Sequence, residues 1–306
     1  MDTTPALVPD YWVMVPFYSN VEYLRQTLHS VIAQTDPGWR CVVVDDSPED
    51  QGIDTLVADL GDDRITVERN PTNLGVAGSF NRCFDLAWER GAELAMILHA
   101  DDLLEPGYIA TVRTAHAAAP DATCVATKVT VIDASGAPTR TIPDTVKAWL
   151  WPKRLDRLHG ERGLQLLLRG QFFYCPAVSY RMAAIAALDG QAWNEHWTQV
   201  MDLELYGRVL LSGGTIVLEP APVFRYRRHQ QSMTQLNSAT MQRTLEETEV
   251  CRMFAARAAG LGWKRASRAG QVRTTVRLQS LLQFGRLGVR GKARAAARAL
   301  MLSVRP

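Results

Sequence analysis

Two pairs of adjacent carboxylates follow apolar segments in the first third of the chain. Asp101 and Asp102 come after the apolar run 96–98, and the turn Pro106-Gly107 follows them closely. Two neighbouring carboxylates repel each other, so we expect a cation beside them, and oxygen ligands favour Mg or Mn. An isolated pair of this kind is also typical of an acidic surface turn, so the rest of the chain has to decide between the two interpretations.

The elements around the acid pairs predict an α/β fold. A short apolar run that ends in a turn is typical of a buried strand, and the second pair, Asp45 and Asp46, also ends such a run. The first hundred residues alternate between strand and helix patterns, which predicts a parallel sheet flanked by helices. In such sheets the carboxyl ends of the strands line the ligand crevice. We predict strands at 12–17, 41–44, 64–68 and 94–98, and helices after Asn20, at 53–59 and at 77–90.

Two common nucleotide-binding motifs are missing where this fold would place them. The first strand is followed by Pro16-Phe17-Tyr18-Ser19 rather than by a Gly-x-Gly-x-x-Gly turn, which disfavours nicotinamide binding. The sequence also has no Gly-Lys-Ser/Thr phosphate loop. The phosphates of a bound nucleotide would therefore have to be neutralised by a metal ion.

The remainder of this region predicts further helices and strands around one irregular stretch. Strands are predicted at 123–133, 172–180, 215–218 and 223–228, and helices at 108–119, 161–169 and 202–212. The stretch 139–159 contains Trp149 and Trp151 and shows no clear periodicity. Long loops of this kind are often lids or binding loops. A surface excursion held by two packed tryptophans is an equally good interpretation.

Composition and charge limit the compartment and the partners. The chain has 306 residues with 47% hydrophobic content, and its five scattered cysteines predict buried thiols in a reducing compartment. The first residues, Met1 to Pro5, lack a signal peptide pattern, and no apolar run approaches the roughly 20 residues of a membrane span. We therefore expect a cytoplasmic protein. From Val250 onward there are 13 basic residues and no acidic one, which suggests that this end meets an anionic surface.

Six segments, in order, resemble the family 2 inverting glycosyltransferases of GT-A fold. The resemblance covers roughly Tyr11 to Thr234, and each segment alone is a weak signal, whereas six in the family's order and spacing are a strong one. The segments are Val15-Pro16-Phe17-Tyr18-Ser19-Asn20, Val43-Val44-Asp45-Asp46-Ser47, 73–81, His99-Ala100-Asp101-Asp102, Met201-Asp202-Leu203-Glu204-Leu205 with Arg208, and Tyr226-Arg227-Arg228-His229 with Ser232.

The resemblance implies a nucleotide-diphospho-sugar donor and a divalent metal, Mg or Mn. It implies that Asp101 and Asp102 hold the metal, with His229 completing the shell, since a metal offsets the charge gained by the leaving diphosphate. It further implies that Arg227 and Ser232 contact the diphosphate. The other residues implied to bind the nucleotide-sugar are Pro16, Tyr18, Asp45, Asp46, Asn73, Gly75 and Asn81.

Inversion requires a general base opposite the leaving group, and the resemblance assigns this role to Asp202. The alternative is that Asp202 only caps the following helix, because Asp is a strong capping residue. Two places depart from the family pattern: His99 stands where an acid is common, and Met201 stands where a Glu often precedes the base. His99 is interpreted as a metal ligand or, with somewhat more weight, as a core histidine held by a neighbour.

The basic C-terminal region is predicted to be helical and amphipathic, at 238–259 and in two stretches between 263 and 304. Such helices either dock on an anionic membrane surface or pack on the catalytic domain. Few aromatic residues are present for base stacking, so nucleic acid is a poor fit. We predict a catalytic domain at 1–235, with a nucleotide-sugar half at about 10–105 and an acceptor half at about 106–235, and a helical extension at 236–306.

The predicted function is sugar transfer to a hydroxyl of a glycan or a lipid-linked acceptor, in cell-surface polysaccharide synthesis. The protein would be cytoplasmic, with peripheral binding to the inner face of the plasma membrane. A nucleotidyltransferase is a poorer interpretation, because residues 18–20 do not form a Gly-rich basic loop. A catalytically impaired GT-A fold that serves as a scaffold of a polysaccharide assembly complex is the alternative of another class.

Overall fold

The computed structural model describes residues 11–229, 242–278 and 280. These residues pack as two compact units that alternate along the chain. The first unit contains 11–140, 173–195 and 215–228, and the second contains 141–172, 196–214 and the described residues from 229 onward. The predicted boundary between residues 235 and 236 lies outside the described residues, and the predicted domain division stays a prediction.

The first unit is built on a mixed sheet whose strand order is β3-β2-β1-β4-β8-β6-β9-β5. Its first four strands in this order are mutually parallel, as expected for β-α-β units, and β8 joins antiparallel to both β4 and β6. The strands are β1 Tyr11–Phe17, β2 Trp39–Asp45, β3 Ile65–Arg69, β4 Leu94–Ile97, β5 Leu103–Leu104, β6 Ala122–Ile132, β8 Val178–Arg181 and β9 Thr215–Arg227.

Register brings the carboxyl ends of the parallel strands to one edge of the sheet. Phe17, the last residue of β1, pairs with Asp45, the last residue of β2. The next amide along, that of Asp46, donates to the Phe17 carbonyl at 2.8 Å, and the Leu98 amide donates to the Met14 carbonyl at 2.9 Å. Both acid pairs therefore follow strands that end on the same side, as the sequence predicts.

Helices of the first unit cover the sheet through their apolar faces. Asn20, at φ 71°, caps α1 by accepting a 3.1 Å hydrogen bond from the Tyr23 amide. Asn tolerates this left-handed conformation better than most residues. The predicted stripe Leu24, Leu28 and Val31 is fully buried. The helices are α1 Val21–Ile32, α2 Ile53–Leu60, α3 Gly75–Glu89, α4 Tyr108–Ala118 and α7 Met182–Ala186.

Two strand predictions differ from the structure. The predicted strands 215–218 and 223–228 are one strand, β9. It pairs in parallel with β6, and the register of the pair shifts between Thr127 and Val129. The predicted strand 172–180 is β8 only at its end, because the 3₁₀ turn Cys175–Ala177 precedes it. Pro176 in that turn has no N–H to donate to a ladder.

The second unit is largely helical. Its elements are α5 Ile142–Leu150, β7 Arg157–His159, α6 Gly160–Arg169, α8 Met201–Leu211, α9 Gln242–Gly260 and α10 Lys264–Val272. Helices α8 and α9 approach closely at Gly207, where an added Cβ would lie 2.2 Å from the Phe254 ring. The interior of this unit therefore requires glycine at that point.

Helix α5 lies in the stretch that the sequence predicts to be irregular. It begins with a capping box, in which Thr141 and Asp144 each bond the other's backbone amide. This capping box stabilises the first turn of the helix. The helix itself is too short for its periodicity to be recognised in the sequence. Of the predicted C-terminal helices, 238–259 corresponds to α9, whereas 263–304 corresponds to α10 in part and lies beyond residue 280 outside the described residues. No helix among the described residues is long and apolar enough to cross a membrane.

Candidate active site

The acid turn, residues 99–102, leaves β4 at the edge where the parallel strands end. His99, Asp101 and Asp102 each place one ligand atom so that all three lie within 4.8 Å of one another. The turn is closed by a 3.1 Å hydrogen bond from the Asp102 amide to the His99 carbonyl. Thr27 of α1 also holds the acid turn, because its hydroxyl donates to the Asp102 carbonyl at 2.8 Å. The three donors are therefore held in a fixed arrangement by the backbone.

Asp102 is fully buried, and its surroundings favour a cation. Burial raises the pKa of Asp102 well above its usual value, the charge of Asp101 raises it further, and the Arg227 amide opposes both effects. That amide donates to Oδ1 at 2.7 Å. The other oxygen, Oδ2, is buried and accepts no hydrogen bond from the described residues. One buried oxygen with no donor, beside a second carboxylate and an imidazole, fits a divalent ion such as Mg or Mn.

His99 lies beside the acids rather than in the core. Its Nδ1 is 3.9 Å from Oδ2 of Asp102, and 31% of its side chain is exposed. The ring lies 5.5 Å, centroid to centroid, from that of Phe80 on α3. The core interpretation favoured by the sequence is therefore replaced by a position within the candidate metal cluster, where an imidazole stands in place of a carboxylate.

Arg227, predicted to contact a diphosphate, is only 2% exposed and bonds within the first unit. Its Nε donates to the Asp101 carbonyl at 2.7 Å, Nη1 to the Ala134 carbonyl at 3.1 Å and Nη2 to Oε1 of Gln26 at 2.9 Å. Nε thus holds the acid turn, while Nη1 and Nη2 fix the guanidinium to Ala134 and Gln26. The structure assigns Arg227 this supporting role, and its contact with a diphosphate stays a prediction.

Asp46 is the anchor of the loop between β3 and α3. Its Oδ1 accepts from Nδ2 of Asn70 at 2.8 Å and from the Leu74 amide at 2.8 Å, and its Oδ2 accepts from Nδ2 of Asn73 at 3.1 Å. Gly75 follows at φ 69°, a conformation that favours glycine. The predicted nucleotide-binding residues Asp46, Asn73 and Gly75 therefore meet in one network, whose contact with a nucleotide stays a prediction.

Asp45, the last residue of β2, lies at the same edge of the sheet. It is fully buried, and Oδ1 accepts from the Ser47 amide at 3.0 Å and the Ser47 hydroxyl at 2.6 Å. The Arg69 guanidinium lies 3.1 Å from Oδ2. Pro16 lies in β1 opposite Val44, and Tyr18, just past that strand, is 58% exposed. The predicted contacts of these residues with a nucleotide stay predictions.

The remaining predicted residues are placed as follows. Asn81 on α3 is buried and exchanges two hydrogen bonds with the backbone of Trp193, at 2.8 and 2.9 Å. His229 is half-buried and belongs to the second unit. Ser232 lies outside the described residues. The predicted binding roles of these three residues stay predictions.

Asp202, the predicted base, lies in the first turn of α8 but is not its cap. Val200 occupies the cap position, and Asp202 is the second residue of the helix. Its Oδ2 accepts a 2.6 Å hydrogen bond from Nε2 of Gln171, and its Oδ1 accepts from the Leu203 amide at 2.8 Å. The helix N-terminus stabilises its negative charge. Asp202 therefore accepts from a first-turn amide without occupying the N-cap position, and its role as the base stays a prediction.

Helix α9 supplies two acids to this part of the second unit. Glu246 accepts from the Thr198 hydroxyl at 2.6 Å and from the Gln199 amide at 2.7 Å, which holds the segment before α8. Burial raises the pKa of neighbouring Glu247, and the charge of Asp202 raises it further while Arg243 lowers it. Asp202 therefore has a second carboxyl within electrostatic reach, although Met201 stands at the family's usual place for one.

Sequence reasoning missed Gln171, Glu246 and Glu247. Their separations from Asp202 along the chain are 31, 44 and 45 residues, so no local pattern connects them. The one available signal is composition, because the last three acids of the chain, at 246, 247 and 249, precede a region of basic residues only.

Comparisons with known proteins agree with this geometry. A family model described as "Glycosyl transferase family 2" matches residues 12–186. A putative teichuronic acid biosynthesis glycosyltransferase, TuaG of Bacillus subtilis, is 34% identical over 79 residues, which cover 26% of this chain and 31% of the relative. The matches with curated relatives span only 31% to 40% of the relatives' own lengths.

Two solved structures share the fold at low sequence identity. The TarS fragment 1–349 of S. aureus, in complex with UDP-GlcNAc, is similar with a TM-score of 0.61 and 15% identity, covering 96% of this chain and 90% of that one. The mannosyltransferase PcManGT of Pyrobaculum calidifontis, in complex with GDP-Man and Mn²⁺, has a TM-score of 0.61 and 15% identity, covering 96% and 75%. These likenesses confirm the predicted GT-A fold.

Proposed function

The chain belongs to glycosyl transferase family 2, and on that premise we propose that it transfers a sugar from a nucleotide-diphosphate donor to a hydroxyl acceptor. The observation that carries the proposal is the cluster of His99, Asp101 and Asp102 at the carboxyl edge of the parallel strands. Ligands of open α/β sheets bind at this edge. The proposal includes a nucleotide-sugar donor, a divalent metal and a catalytic base.

We propose that His99, Asp101 and Asp102 hold Mg or Mn. The bound metal would offset the charge that the diphosphate gains as the glycosidic bond breaks. The mannosyltransferase with a similar fold was solved with Mn²⁺, which supports a divalent ion here. His229 is retained as a further proposed ligand, because it lies two residues after the end of β9 in the chain.

The donor is proposed to be a nucleotide-diphospho-sugar, the class bound by the two solved neighbours as UDP-GlcNAc and GDP-Man. Asp45 and the network of Asp46 and Asn73 would receive the nucleoside, with Tyr18 against the base. Pro16, Gly75 and Asn81 would line the donor site, and Ser232 would contact the diphosphate. Arg227, through its bond to the Asp101 carbonyl, keeps the acid turn in place for the phosphates.

The reaction is proposed to invert the anomeric carbon in one displacement, with Asp202 as the base. Asp202 would accept the proton of the acceptor hydroxyl as the new bond forms. Gln171 donates to its Oδ2, which leaves the direction of the remaining lone pairs fixed.

The acceptor is proposed to be a glycan or a lipid-linked glycan of a cell-surface polysaccharide. The similarity to a protein named for teichuronic acid biosynthesis supports that setting. The enzyme would act in the cytoplasm, at the inner face of the plasma membrane, with the basic C-terminal region on anionic lipid. The 13 basic residues beyond Val250, with no acid among them, support this contact.

A donor screen tests the function. Purified full-length protein is incubated with individual nucleotide-sugars, with Mg or Mn or with EDTA, and release of the nucleoside diphosphate is measured. We expect release from at least one donor, only when the metal is present. Binding of a donor without any release, across all acceptors tried, would instead indicate a scaffold subunit.

A further inference from the structure

Helix α5 of the second unit exposes an apolar stripe. Ile142 is 69% exposed and Trp149 is 80% exposed, the two highest values among the large apolar side chains of the described residues. Val146 lies between them and is half-buried. Positions i, i+4 and i+7 fall on one side of a helix. The stripe Ile142-Val146-Trp149 therefore faces solvent, the reverse of what a helix on a globular unit normally presents.

The opposite side of α5 is held firmly, so the stripe is a stable surface. Asp144 is buried and completes the capping box with Thr141. Leu150 lies against Gly170, where an added Cβ would meet Leu150 Cδ1 at 3.0 Å. Trp151 stacks edge-on with Phe172, at 5.6 Å between ring centroids. The capping box and the contacts of Leu150 and Trp151 thus orient α5. Its most apolar positions are left exposed to solvent.

Basic residues follow the stripe along the chain. Lys153, Arg154 and Arg157 follow α5 and are exposed. Counted over the sequence, residues 141–160 contain four basic and two acidic residues, a net charge of +2, whereas the first unit has 13 basic and 24 acidic residues, a net charge of −11. The apolar stripe is therefore followed along the chain by exposed cations.

An anionic bilayer is the surface that complements both features. Tryptophan prefers the boundary between headgroups and acyl chains, where its ring is buried and its N–H stays wet. Lys and Arg side chains near such a surface are attracted to its negative charge. A helix of 9 residues is too short to span a bilayer but suits the interfacial plane. A neutral glycan would use the ring of Trp149 but would gain nothing from the charge.

We infer that α5 is a membrane-interface anchor, which inserts Ile142, Val146 and Trp149 among the headgroups of an anionic bilayer while the exposed cations that follow α5 contact the phosphates. The anchor is a part of the chain separate from the C-terminal region beyond Val250. It goes beyond the proposed function and does not depend on sugar transfer, since its readout is binding to lipid.

Vesicle partitioning of the full-length protein tests the anchor. Vesicles of phosphatidylcholine alone and of phosphatidylcholine with phosphatidylglycerol are sedimented with wild type, with the double variant Ile142→Ser/Trp149→Ala, and with the control Trp88→Ala. Trp88 is also exposed, at 53%, but lies on α3 in the anionic first unit. We expect wild type and the control to bind the anionic vesicles, and the double variant to lose about tenfold or more in partitioning.

Fluorescence with brominated lipids gives a second readout on the residue itself. Quenching by brominated acyl chains should be strong in wild type and should fall in Trp149→Phe, whose lipid binding is retained. Equal partitioning of the double variant and wild type would overturn the inference, and so would unchanged quenching in Trp149→Phe. Loss of self-association in the double variant, with vesicle binding intact, would also overturn it, by assigning the stripe to a second copy. Diphosphate release without lipid should be unchanged, which separates this test from the proposed chemistry.

Discussion

Gln171 donates a hydrogen bond from Nε2 to Oδ2 of Asp202 at 2.6 Å, and this contact joins the end of the α6 region to the first turn of α8. The carboxylate receives its other described bond from the Leu203 amide. A base whose orientation depends on one side-chain amide is sensitive to that amide. The contact therefore identifies Gln171 as a positioning residue for the proposed base.

Replacing Gln171 should reduce turnover without weakening donor binding. In Gln171→Leu the carboxylate loses its side-chain donor, and we expect kcat to fall about ten- to hundredfold while the KM for the donor changes little. Asp202→Asn should abolish transfer and retain donor binding. Steady-state kinetics measure both. Gln271→Leu, an exposed glutamine on α10, is the matched control and should behave as wild type. If the KM of Gln171→Leu for the nucleotide-sugar rose by as large a factor as kcat fell, Gln171 would have a merely structural role.

The metal cluster predicts a specific effect of His99. Because its Nδ1 lies 3.9 Å from Oδ2 of Asp102, His99→Ala removes one of three ligands and should raise the Kd for Mn²⁺ about tenfold or more. EDTA should abolish diphosphate release, and added Mn²⁺ should restore it. Calorimetric titration of the protein without donor provides a readout independent of activity. His29→Ala, an exposed histidine on α1, should leave the titration unchanged; an unchanged Kd in His99→Ala would remove the imidazole from the site.

Asp46 should stabilise the loop before α3. Its carboxylate accepts three hydrogen bonds, from Asn70, Asn73 and the Leu74 amide. Asp46→Ala therefore leaves three N–H groups of the loop without their acceptor. We expect the free energy of unfolding to fall by about 2 to 3 kcal/mol and the Kd for the donor to rise. Urea denaturation and donor titration measure these. Asp59→Asn, exposed on α2, is the control. Full stability in Asp46→Ala would show that the loop is held by other contacts.

His116 should make the protein sensitive to mild acid. Burial lowers its pKa from 6.5 to about 3, with Arg181 contributing, and its Nε2 lies 3.1 Å from the Ser179 hydroxyl. Between these two pKa values the unfolded chain binds a proton that the folded protein does not, so stability falls as the pH falls. The loss is about 1.4 kcal/mol per pH unit, or about 2 kcal/mol by about pH 5. Urea titrations at several pH values should show this slope in wild type and in His29→Gln, and a smaller slope in His116→Gln. An identical slope in all three would exclude His116 as its source.

Local pattern was sufficient for the parallel half of the sheet. The apolar runs before Asp45 and Asp101 are strands because a short buried strand needs only continuous apolar residues. Their parallel direction follows from the alternation with helices, whereas their order in the sheet comes from the structure. Helix α5 escaped this reasoning because its stability comes from the Thr141–Asp144 box and one packed flank, not from an inward apolar stripe.

The sequence by itself determined which carboxylates follow strands, which family the segments resemble, and that positive charge accumulates toward the C-terminus. Only the tertiary structure decided what each polar side chain bonds to. It placed His99 beside Asp102, used Arg227 to support the acid turn and brought Gln171 to Asp202. The reason is physical: strand and helix patterns depend on near neighbours, whereas the partners of a buried polar group come from residues distant along the chain.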